Sequence, residues 1–451
     1  MRKLGFKVLF ILLLGTKSWV YSQTSWTLQA CLLHAEQHNL SLQQVKLQVA
    51  QSRISMVQSW VALLPTLNGS ASQSTNFGLR FDPTSGILQD QKFESFSTGI
   101  SSNFVIFNGL SNYNTIAQNQ KTYEAEKANF AQAKDDLHLN VADLFMQVMF
   151  AEERVKIAAK QFALLKAQTE RMQMLWEAGN VVKGEYLTLR AQTATQEVQF
   201  ITAQNALKMA KLALAQALMI DAENLNLSYP PLDSLEKSMS GPLPDPKKVM
   251  ATAVTMRPGL VAAQLRRDAA RFGLRSARGN YVPTIGLNAS ASTIYSGLRK
   301  QNPFDPSSPP IPFNQQMKEN FGQQVSFSLS VPLLNGWSTR AAVQQAKIGL
   351  ARAELSILEQ ENQLRNTIER AHADALAAYQ TWQANQINLQ ALEEARQYAE
   401  DRFSVQAINA IQFNDAVTRY FQAQTELLIA HYDFIFKSLV LQFYQGNRFK
   451  F

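Results

Sequence analysis

Two kinds of hydrophobic pattern alternate along the chain. Residues 25–62 are rich in Gln, Ala, Leu and Val, and they stop before Pro65, which disfavours a helical conformation in the residue preceding it. This segment is predicted to be a helix. Between Phe96 and Ile106 the apolar residues fall mainly on even positions and the polar residues on odd positions. A period of two predicts a strand with one apolar face.

A long uninterrupted segment follows Asn108-Gly109. About 66 residues, as far as Leu175, contain neither proline nor glycine and are dominated by Ala, Leu, Gln, Lys and Glu. At 1.5 Å per residue, a helix of this length spans about 100 Å. Such a helix is too long to bury against one small sheet, and an ordinary coiled coil is the alternative interpretation.

The second half of the chain repeats the first. Residues 61–78 resemble residues 279–297, and Pro283 takes the place of Pro65. In both places the proline separates a helix-like segment from a strand-like one. Each half is therefore predicted to contain a helix, a strand, a loop, a second strand, a long helix, a tip and a return helix.

The exits from the strands repeat as well, at a larger sequence offset. Asn335-Gly336 takes the place of Asn108-Gly109, and the second half has nine additional residues between its strands. These fall in the proline-rich segment 302–313, as expected for an insertion in an exposed loop. The strand before Asn335 has the most regular alternation in the chain.

These patterns give definite boundaries. Four strands are predicted, at about 66–78, 95–107, 284–296 and 322–334. The chain is predicted to consist of a signal peptide, a first repeat, an equatorial connector rich in proline and a second repeat, at 1–22, 23–220, 221–250 and 251–451.

The first residues have the features of a secretory signal. Arg2 and Lys3 precede a short apolar core, and small residues suit cleavage after Ser22. An alternative makes Cys31 the acylated cysteine of a lipoprotein, but Gln29 fits that motif poorly and the apolar core ends far upstream. Export without a later stop-transfer helix leaves the periplasm, the outer membrane or the medium as destinations.

Composition excludes several classes of protein. A single cysteine cannot form an internal disulfide, and no apolar run beyond the predicted signal peptide approaches the roughly 18 needed for a membrane helix. Of the net charge of +8, four positive charges lie within that signal peptide, so nucleic acid is not expected as a partner.

No catalytic, cofactor or metal site is predicted. Cys31, His34 and His38 share a helical face, but their order is not that of a zinc motif and no fourth ligand is evident. Phosphate-binding loops and nucleophile elbows are absent from the sequence. The chain is therefore not expected to be an enzyme.

Four strands with one apolar face cannot close a barrel alone, and an open sheet edge is not tolerated in lipid. Oligomerisation would solve both problems, with the apolar face toward lipid and the Ser, Asn and Gln face toward water. A soluble sheet that covers its apolar side with helices is the alternative. The length of the helices favours the oligomeric pore.

The chain resembles the TolC family of outer-membrane efflux proteins over essentially its whole mature length. The residues that carry the resemblance open the first helix, enter the strands, leave them, begin the second repeat and lie near the first hairpin tip: Trp26-Thr27-Leu28, Leu63 to Leu67, Tyr281 to Ile285, Phe107-Asn108-Gly109, Leu334-Asn335-Gly336, Arg257 to Leu260 and Glu177-Ala178-Gly179. Their order, duplication and spacing make the match specific.

The resemblance implies a mainly α-helical protein with a transmembrane β-barrel. Three chains of four strands would form a twelve-stranded barrel in the outer membrane of a Gram-negative bacterium, and antiparallel helices would continue it as an α-barrel through the periplasm. Such a homotrimer serves as the exit duct of a tripartite efflux or type I secretion system. Its partners would be a periplasmic adaptor, an inner-membrane transporter and outer-membrane lipid, and its cargo small molecules or proteins.

The same resemblance assigns residues to three places. The helix–strand transitions are Pro65, Pro283, Asn108, Gly109, Asn335 and Gly336. The adaptor-docking tips comprise Trp176, Glu177, Ala178, Gly179, Asn180, Val181, Phe403, Val405, Gln406, Ala407, Ile408 and Asn409. The periplasmic gate comprises Asp415, Gln412 and Glu185, and three copies of Asp415 in a narrow entrance would disfavour anions.

Two other classes remain as alternatives. A periplasmic adaptor also has a signal peptide and a helical hairpin, but it has one hairpin between glycine-rich β modules. A secreted coiled-coil protein has no use for strands of period two at matching positions. The duplicated unit argues against both.

Overall fold

The computed structural model describes residues 25–82, 86–90, 92–229, 243–302, 305, 308–405 and 407–446. The predicted signal peptide, 1–22, and the middle of the predicted connector, 230–242, lie outside the described residues. The helices and strands of the first half are α1 (Leu28–His38), α2 (Leu40–Val61), β1 (Thr66–Asn76), β2 (Leu79–Asp82), β3 (Ile87–Asp90), β4 (Phe93–Asn108), α3 (Ser111–Glu177) and α4 (Lys183–Leu218). Those of the second half are α5 (Pro246–Met256), α6 (Pro258–Gly279), β5 (Thr284–Ser296), α7 (Phe313–Glu319), β6 (Gly322–Ser330), α8 (Ser338–Ser404) and α9 (Ala410–Tyr444).

The duplication holds at the level of single residues. Helices α1 and α5 each have 11 residues, α2 and α6 each have 22, and α3 and α8 each have 67. Before the strands, corresponding helices start at the sequence offset that takes Pro65 to Pro283. After the strands, they start at the offset that takes Gly109 to Gly336. We refer to residues related by these two offsets as equivalent.

The first predicted helix is interrupted at Asn39. This residue is extended, with ψ of 120°, and its side-chain carbonyl accepts a hydrogen bond of 3.0 Å from the Leu42 amide. Asparagine is a preferred N-cap because its side chain satisfies an amide that the helix leaves free. Residues 25–62 therefore contain two helices, and the equivalent break in the second half falls at Arg257 before Pro258.

Several boundaries differ from those predicted. Strand β6 ends at Ser330 rather than near 334, because Pro332 has no amide hydrogen for the ladder. Helix α5 begins at Pro246, inside the range predicted as connector, since Asp245 caps its first turn. The short hairpin of β2 and β3 lies in a region where no strand was predicted.

The four long strands form one antiparallel sheet in the order β1-β4-β5-β6. In its register Ser101 lies opposite Ser290, while Phe104 lies opposite Leu287. Side chains alternate between the faces of a strand, so apolar and small polar residues separate onto opposite faces. Within the described chain, β1 and β6 each pair along one edge only.

Tight backbone turns lead from the strands into the long helices. Gly109 and Leu110 have φ of 64° and 62°, and the equivalent Gly336 and Trp337 have φ of 57° and 67°. The Asn108 side chain spans the first turn, donating to Asn112 Oδ1 at 2.8 Å. Two successive left-handed residues make the turn that connects the strand to the helix.

Gly109 also allows two chain segments to cross. A Cβ atom at this position would lie 2.2 Å from the carbonyl oxygen of Gly279, the last residue of α6. Pro283 follows soon after Gly279, and β5 begins at Thr284. The exit from one strand and the entrance to the next are therefore in backbone contact.

The main apolar core lies where the short helices pack on the long ones. Buried residues of α1, α3, α4 and α9 meet there, including the fully buried Cys31 and Ile435.

Burial raises the pKa of the Cys31 thiol to about 12. The thiol therefore acts as a small apolar side chain. Acylation would require Cys31 to leave this core, so the structure disfavours the lipoprotein alternative.

The N-terminal segment is fixed by the beginning of the connector. The Trp26 amide donates to the Asn226 carbonyl at 2.7 Å, and the Ser228 amide donates to the Trp26 carbonyl at 3.0 Å. This short parallel bridge places the described beginning of the connector beside α1, at the same height as the main core.

Candidate functional site

Each long helical hairpin is closed by one pair of stacked aromatic rings. Trp176 and Tyr186 stack with centroids 5.3 Å apart, and Phe403 and Phe413 stack with centroids 4.7 Å apart. The two pairs are equivalent, because one sequence offset takes Trp176 to Phe403 and Tyr186 to Phe413. Sequence analysis singled out Trp176 and Phe403 but not their partners, although the repeat relates those partners in the same way.

The turn of the first hairpin follows from Gly179. This residue has φ of 78°, its amide donates to the Trp176 carbonyl, and the Asn180 amide donates to the Leu175 carbonyl at 2.9 Å. This is a Schellman motif, in which a left-handed glycine allows the last helical carbonyls to be satisfied. In the second hairpin the Ala407 amide makes the equivalent bond to Arg402, at 2.8 Å. Gln406, predicted at this tip, lies outside the described residues.

The start of α9 explains two of the predicted residues. Asn409 Oδ1 accepts from the Gln412 amide at 2.9 Å, and the Asn409 amide donates to Gln412 Oε1 at 3.4 Å. These reciprocal bonds form a capping box. Gln412, which was assigned to the gate, therefore holds the helix start in this chain. Glu185 is its equivalent in α4, where Val182 provides no side-chain cap.

The two hairpin tips meet in a groove with a volume of about 620 Å³. Its walls come from both hairpins, and they combine apolar side chains with amides and a few charges. The lining residues are Gln168, Arg171, Met172, Leu175, Gly179, Asn180, Val181, Val182, Glu185, Phe403, Ser404, Ala407, Ile408, Asn409 and Gln412. Residues predicted separately in the two halves are thus brought together, and Arg171, Met172 and Leu175 join them without a sequence signal.

Phe403 connects the two hairpins. Its ring packs against the cluster of Leu165, Met172 and Leu189 in the first hairpin. It also packs against the cluster around Phe413 and Val417 in the second. The groove is therefore built on a shared apolar base, which fixes one tip relative to the other.

The remaining predicted tip residues lie outside the groove lining. Val405 is 72% exposed. Val182, which lines the groove from the first hairpin, is 67% exposed. Trp176 is covered by Tyr186 and by the Lys183 ammonium group, 5.5 Å from its ring centroid. Glu177 accepts a hydrogen bond from Gln173, and Ala178 caps the end of α3.

Asp415 lies on the exposed side of α9, apart from the groove. Its carboxylate is 2.9 Å from the Arg419 guanidinium, one helical turn along. Both side chains are more than half exposed, so water screens the pair and its contribution to stability is small. Asp415, a candidate gate residue, is therefore paired with Arg419 of the same helix.

The seams of the two hairpins differ two helical turns away from the stacked rings. In the first hairpin the Thr169 and Thr193 hydroxyls are hydrogen-bonded at 2.7 Å. At the equivalent positions of the second hairpin, the Arg396 guanidinium lies over the Tyr420 ring, 5.1 Å from its centroid. The same guanidinium donates a hydrogen bond to the Glu400 carboxylate. The second hairpin thus has a charged layer where the first has a neutral one.

Among the described residues, no group of three or more His, Cys, Asp or Glu side chains is arranged to hold a metal ion. His34 and His38 stack with centroids 4.0 Å apart, and Cys31 faces the core. In the part of the chain that the structure describes, none of the helices combines the length and apolarity that a membrane crossing requires.

Comparison with known proteins agrees with the geometry. The family described as Outer membrane efflux protein matches residues 32–218 and 250–447, once in each repeat. Outer membrane efflux protein BepC of Brucella suis is 21% identical over 436 residues, covering 94% of this chain and 87% of BepC. Outer membrane protein TolC of Escherichia coli K12 is 23% identical over 336 residues, covering 73% of this chain and 65% of TolC.

A solved structure has the same fold. The outer membrane protein VceC of Vibrio cholerae superposes with a TM-score of 0.75 at 15% identity, over 94% of this chain and 97% of VceC. The duplicated four-stranded sheet and the two equally long helices α3 and α8 are thus features of a fold that this chain shares with VceC. The chain belongs to the outer membrane efflux protein family and is an efflux channel of the outer membrane.

Proposed function

We propose that three copies of this chain form a continuous exit duct, which receives cargo from an inner-membrane transporter through a periplasmic adaptor. The observation that carries the proposal is the amphipathic four-stranded sheet, in which β4 and β6 lead directly into helices about 100 Å long. Three such sheets joined edge to edge give a closed twelve-stranded barrel, and closure removes the unpaired edges that lipid does not tolerate.

The two faces of the sheet match lipid and water. One row across the strands consists of Asn68, Ser101, Ser290 and Gln324, whereas a row on the other face contains Phe104, Leu287 and Phe327. Phe327 is 76% exposed in the single chain, as expected for a lipid-facing residue. The polar face then lines a water-filled lumen.

The hairpin tips are the surface offered to the adaptor. Val182, which lines the groove between the hairpins, and Val405, which lies outside it, expose apolar side chains at the two hairpin tips. A helical adaptor hairpin that buries these valines would gain apolar contact area at each tip. A photo-crosslinking residue at Val405 should capture an adaptor in the native host, whereas one at Val198 on the α4 surface should not. Capture only at Val198 would move the docking surface away from the tips.

Asp415 and Arg419 set the charge at the periplasmic entrance. In a trimer three copies of this ion pair surround the pore, and each arginine partly compensates its carboxylate. Removing the carboxylate should therefore lower any preference for cations, and removing the guanidinium should raise it.

The proposal is tested by planar-bilayer conductance of the detergent-purified oligomer. Wild type should give steady conductance, Asp415→Ala should reduce the cation-to-anion permeability ratio, and Arg419→Ala should increase it. Glu177→Ala, which changes an exposed charge at the tip outside the groove lining, is the control. A pore that responds to neither Asp415→Ala nor Arg419→Ala retains the duct but removes the entrance assignment. The absence of any pore would contradict the duct itself.

A further inference from the structure

Two histidines at the C-terminal end of α1 lie next to each other, away from the hairpin tips and the sheet. His34 and His38 are one helical turn apart, and we refer to them as the histidine pair. Their rings stack with centroids 4.0 Å apart and planes 18° apart. His34 is half-buried and His38 is exposed. Side chains four residues apart share one face of a helix, and two histidines with this spacing bind one zinc ion in metalloproteases.

The fold does not require histidine at these two positions. Helix α5 is the equivalent of α1, with the same length, and it has Thr252 and Met256 where α1 has the histidine pair. At a buried position of the same two helices, by contrast, Val249 takes the place of Cys31, and both side chains are fully buried. Packing within the repeat therefore accounts for Cys31, but it does not account for the histidine pair.

A hydrogen bond fixes which nitrogen of His38 is able to bind a ligand. Its Nδ1 lies 3.0 Å from the carbonyl oxygen of His34. A carbonyl oxygen can only accept, so Nδ1 donates and the lone pair of the neutral ring is on Nε2. Histidines that bind metals have this arrangement, in which the second ring nitrogen donates to a carbonyl or a carboxylate.

The His34 ring is held in a similar way. Burial lowers the pKa of His34 the most, and the charge of His38 lowers it further, whereas a hydrogen bond to the Leu218 backbone opposes both. A bond that favours the protonated ring is accepted by a carbonyl, so one nitrogen of His34 donates to the end of α4. The edge of Trp26 packs against the same ring, with centroids 5.1 Å apart. The other ring nitrogen of His34 keeps its lone pair.

We propose that the histidine pair binds one divalent transition-metal cation, through one nitrogen of each ring. Two nitrogens that are each about 2.1 Å from a cation are at most about 4.2 Å apart, and the ring separation lies within that limit. Small rotations of the two side chains then suffice for chelation, and water supplies the remaining ligands. The site lies on α1 and does not depend on the proposed duct.

The chemistry of the two ligands selects the cation. Neutral imidazole suits Cu²⁺, Ni²⁺ and Zn²⁺, whereas Mg²⁺ and Ca²⁺ prefer oxygen ligands. Among these, Cu²⁺ should bind most tightly. A bound cation would also hold the end of α1 beside the end of α4, because the His34 ring contacts Leu218 there. Binding should therefore raise the Tm of the protein.

Isothermal titration calorimetry with Cu²⁺ tests the site on detergent-purified protein, obtained through a tag that contains no histidine. Wild type should bind one Cu²⁺ per chain and no Mg²⁺. His34→Thr, which introduces the residue that α5 has at that place, and His38→Ala should each weaken Cu²⁺ binding by roughly 10²-fold, because the second linked ligand is lost. The double variant should bind about as weakly as either single variant, since one imidazole alone no longer chelates. His372→Ala removes a histidine of α8 and is the control, which should bind like wild type.

Electron paramagnetic resonance of the Cu²⁺ complex gives a second measurement. The spectrum of wild type should show coupling to two imidazole nitrogens, and the Tm gained with Cu²⁺ should be lost in the double variant. Equal Cu²⁺ affinity of wild type and the double variant would overturn the proposal. Loss of binding in His372→Ala, or coupling to a single imidazole in wild type, would overturn it as well. Binding is counted per chain, so these outcomes stand whether or not three chains form the proposed duct.

Discussion

Arg257 shows how one buried side chain joins distant parts of the chain. Its guanidinium lies 3.2 Å from Asp135 on α3 and over the rings of Phe443 and Tyr444, at 4.2 and 4.7 Å from their centroids. Burial lowers the pKa of Arg257 and raises that of Asp135, although each charge opposes the shift of the other. The planar, delocalised cation suits this position because it can stack on both rings and still bind a carboxylate.

Glu36 also joins distant parts of the chain, and its ion pairs predict that the stability of the protein depends on pH. Its carboxylate binds Lys134 at 2.8 Å and His138 at 2.7 Å, joining α1 to α3. Burial raises the pKa of Glu36, but the hydrogen bonds and charges of these two partners outweigh it, and the net pKa lies below its ordinary value of 4.5. The stabilisation is therefore present above the ordinary pKa and is lost as the pH falls through the lowered pKa.

Glu36→Gln should lower the thermal stability of the purified oligomer at neutral pH, by about 1–2 kcal/mol per chain. The gap in Tm between wild type and variant should narrow at a pH well below the ordinary pKa of 4.5, because the wild-type carboxyl is then neutral as well. Glu124→Gln, which removes an ion pair within one helix, should change Tm little at either pH. An equal gap at both pH values would contradict the linkage.

At the scale of elements, the hairpins and the strand exits are built in different ways. The hairpin tips rely on stacked aromatic rings and helix caps, and Gly179 at the first tip lies in open space. The strand exit relies on close contact of two backbones, at Gly109 and Gly279. The first tip has space for a methyl group at Gly179, whereas the backbone crossing has none at Gly109.

Gly109→Ala and Gly179→Ala therefore form a matched pair, since both glycines have positive φ. Gly179→Ala should cost roughly 1–2 kcal/mol, the penalty of a left-handed alanine, and should leave assembly intact. Gly109→Ala adds a collision with the Gly279 carbonyl and should sharply reduce the amount of assembled oligomer in outer-membrane fractions. Equal assembly of the two variants would show that the crossing is looser than its geometry indicates.

At the scale of the whole molecule, we propose that the sheet faces lipid on its apolar side and water on its polar side. The polar face of its strands carries mainly Ser, Asn and Gly among the described residues, so the lumen of the proposed barrel would be lined by small, uncharged side chains. Charge selectivity would then arise at the periplasmic entrance, where we propose that Asp415 and Arg419 lie.

Adjacent residues of β6 should respond in opposite ways to the same charge. Phe327→Arg places a cation toward lipid, which costs about 2–4 kcal/mol per chain near the bilayer centre, and should prevent stable insertion. Ser326→Arg places it in the lumen, so insertion should persist while bilayer conductance shifts toward anions. Insertion of Phe327→Arg together with loss of Ser326→Arg would reverse the assignment of the two faces.

Much of the candidate site could be predicted because the repeat continues without gaps after the strands. Trp176 and Phe403 were predicted near the hairpin tips, where the structure has stacked rings, and Gly109 and Gly336 at the strand exits, where both have positive φ. Gln412 could not be recognised as part of a capping box, since its pairing with Asn409 depends on where α9 begins. The Arg419 partner of Asp415 was within reach of sequence analysis, as a cation one helical turn along.

The sequence by itself determined the duplication, the long helices and the strands with one apolar face, because these follow from local periodicity and from the positions of proline and glycine. It also determined the chemical character of each face. Only the tertiary structure decided which residues of the two halves share a groove, because those contacts join distant parts of the sequence through packing around Phe403. The backbone crossing of Gly109 and Gly279 was decided in the same way, since its need for glycine arises from a neighbour that no local pattern reveals.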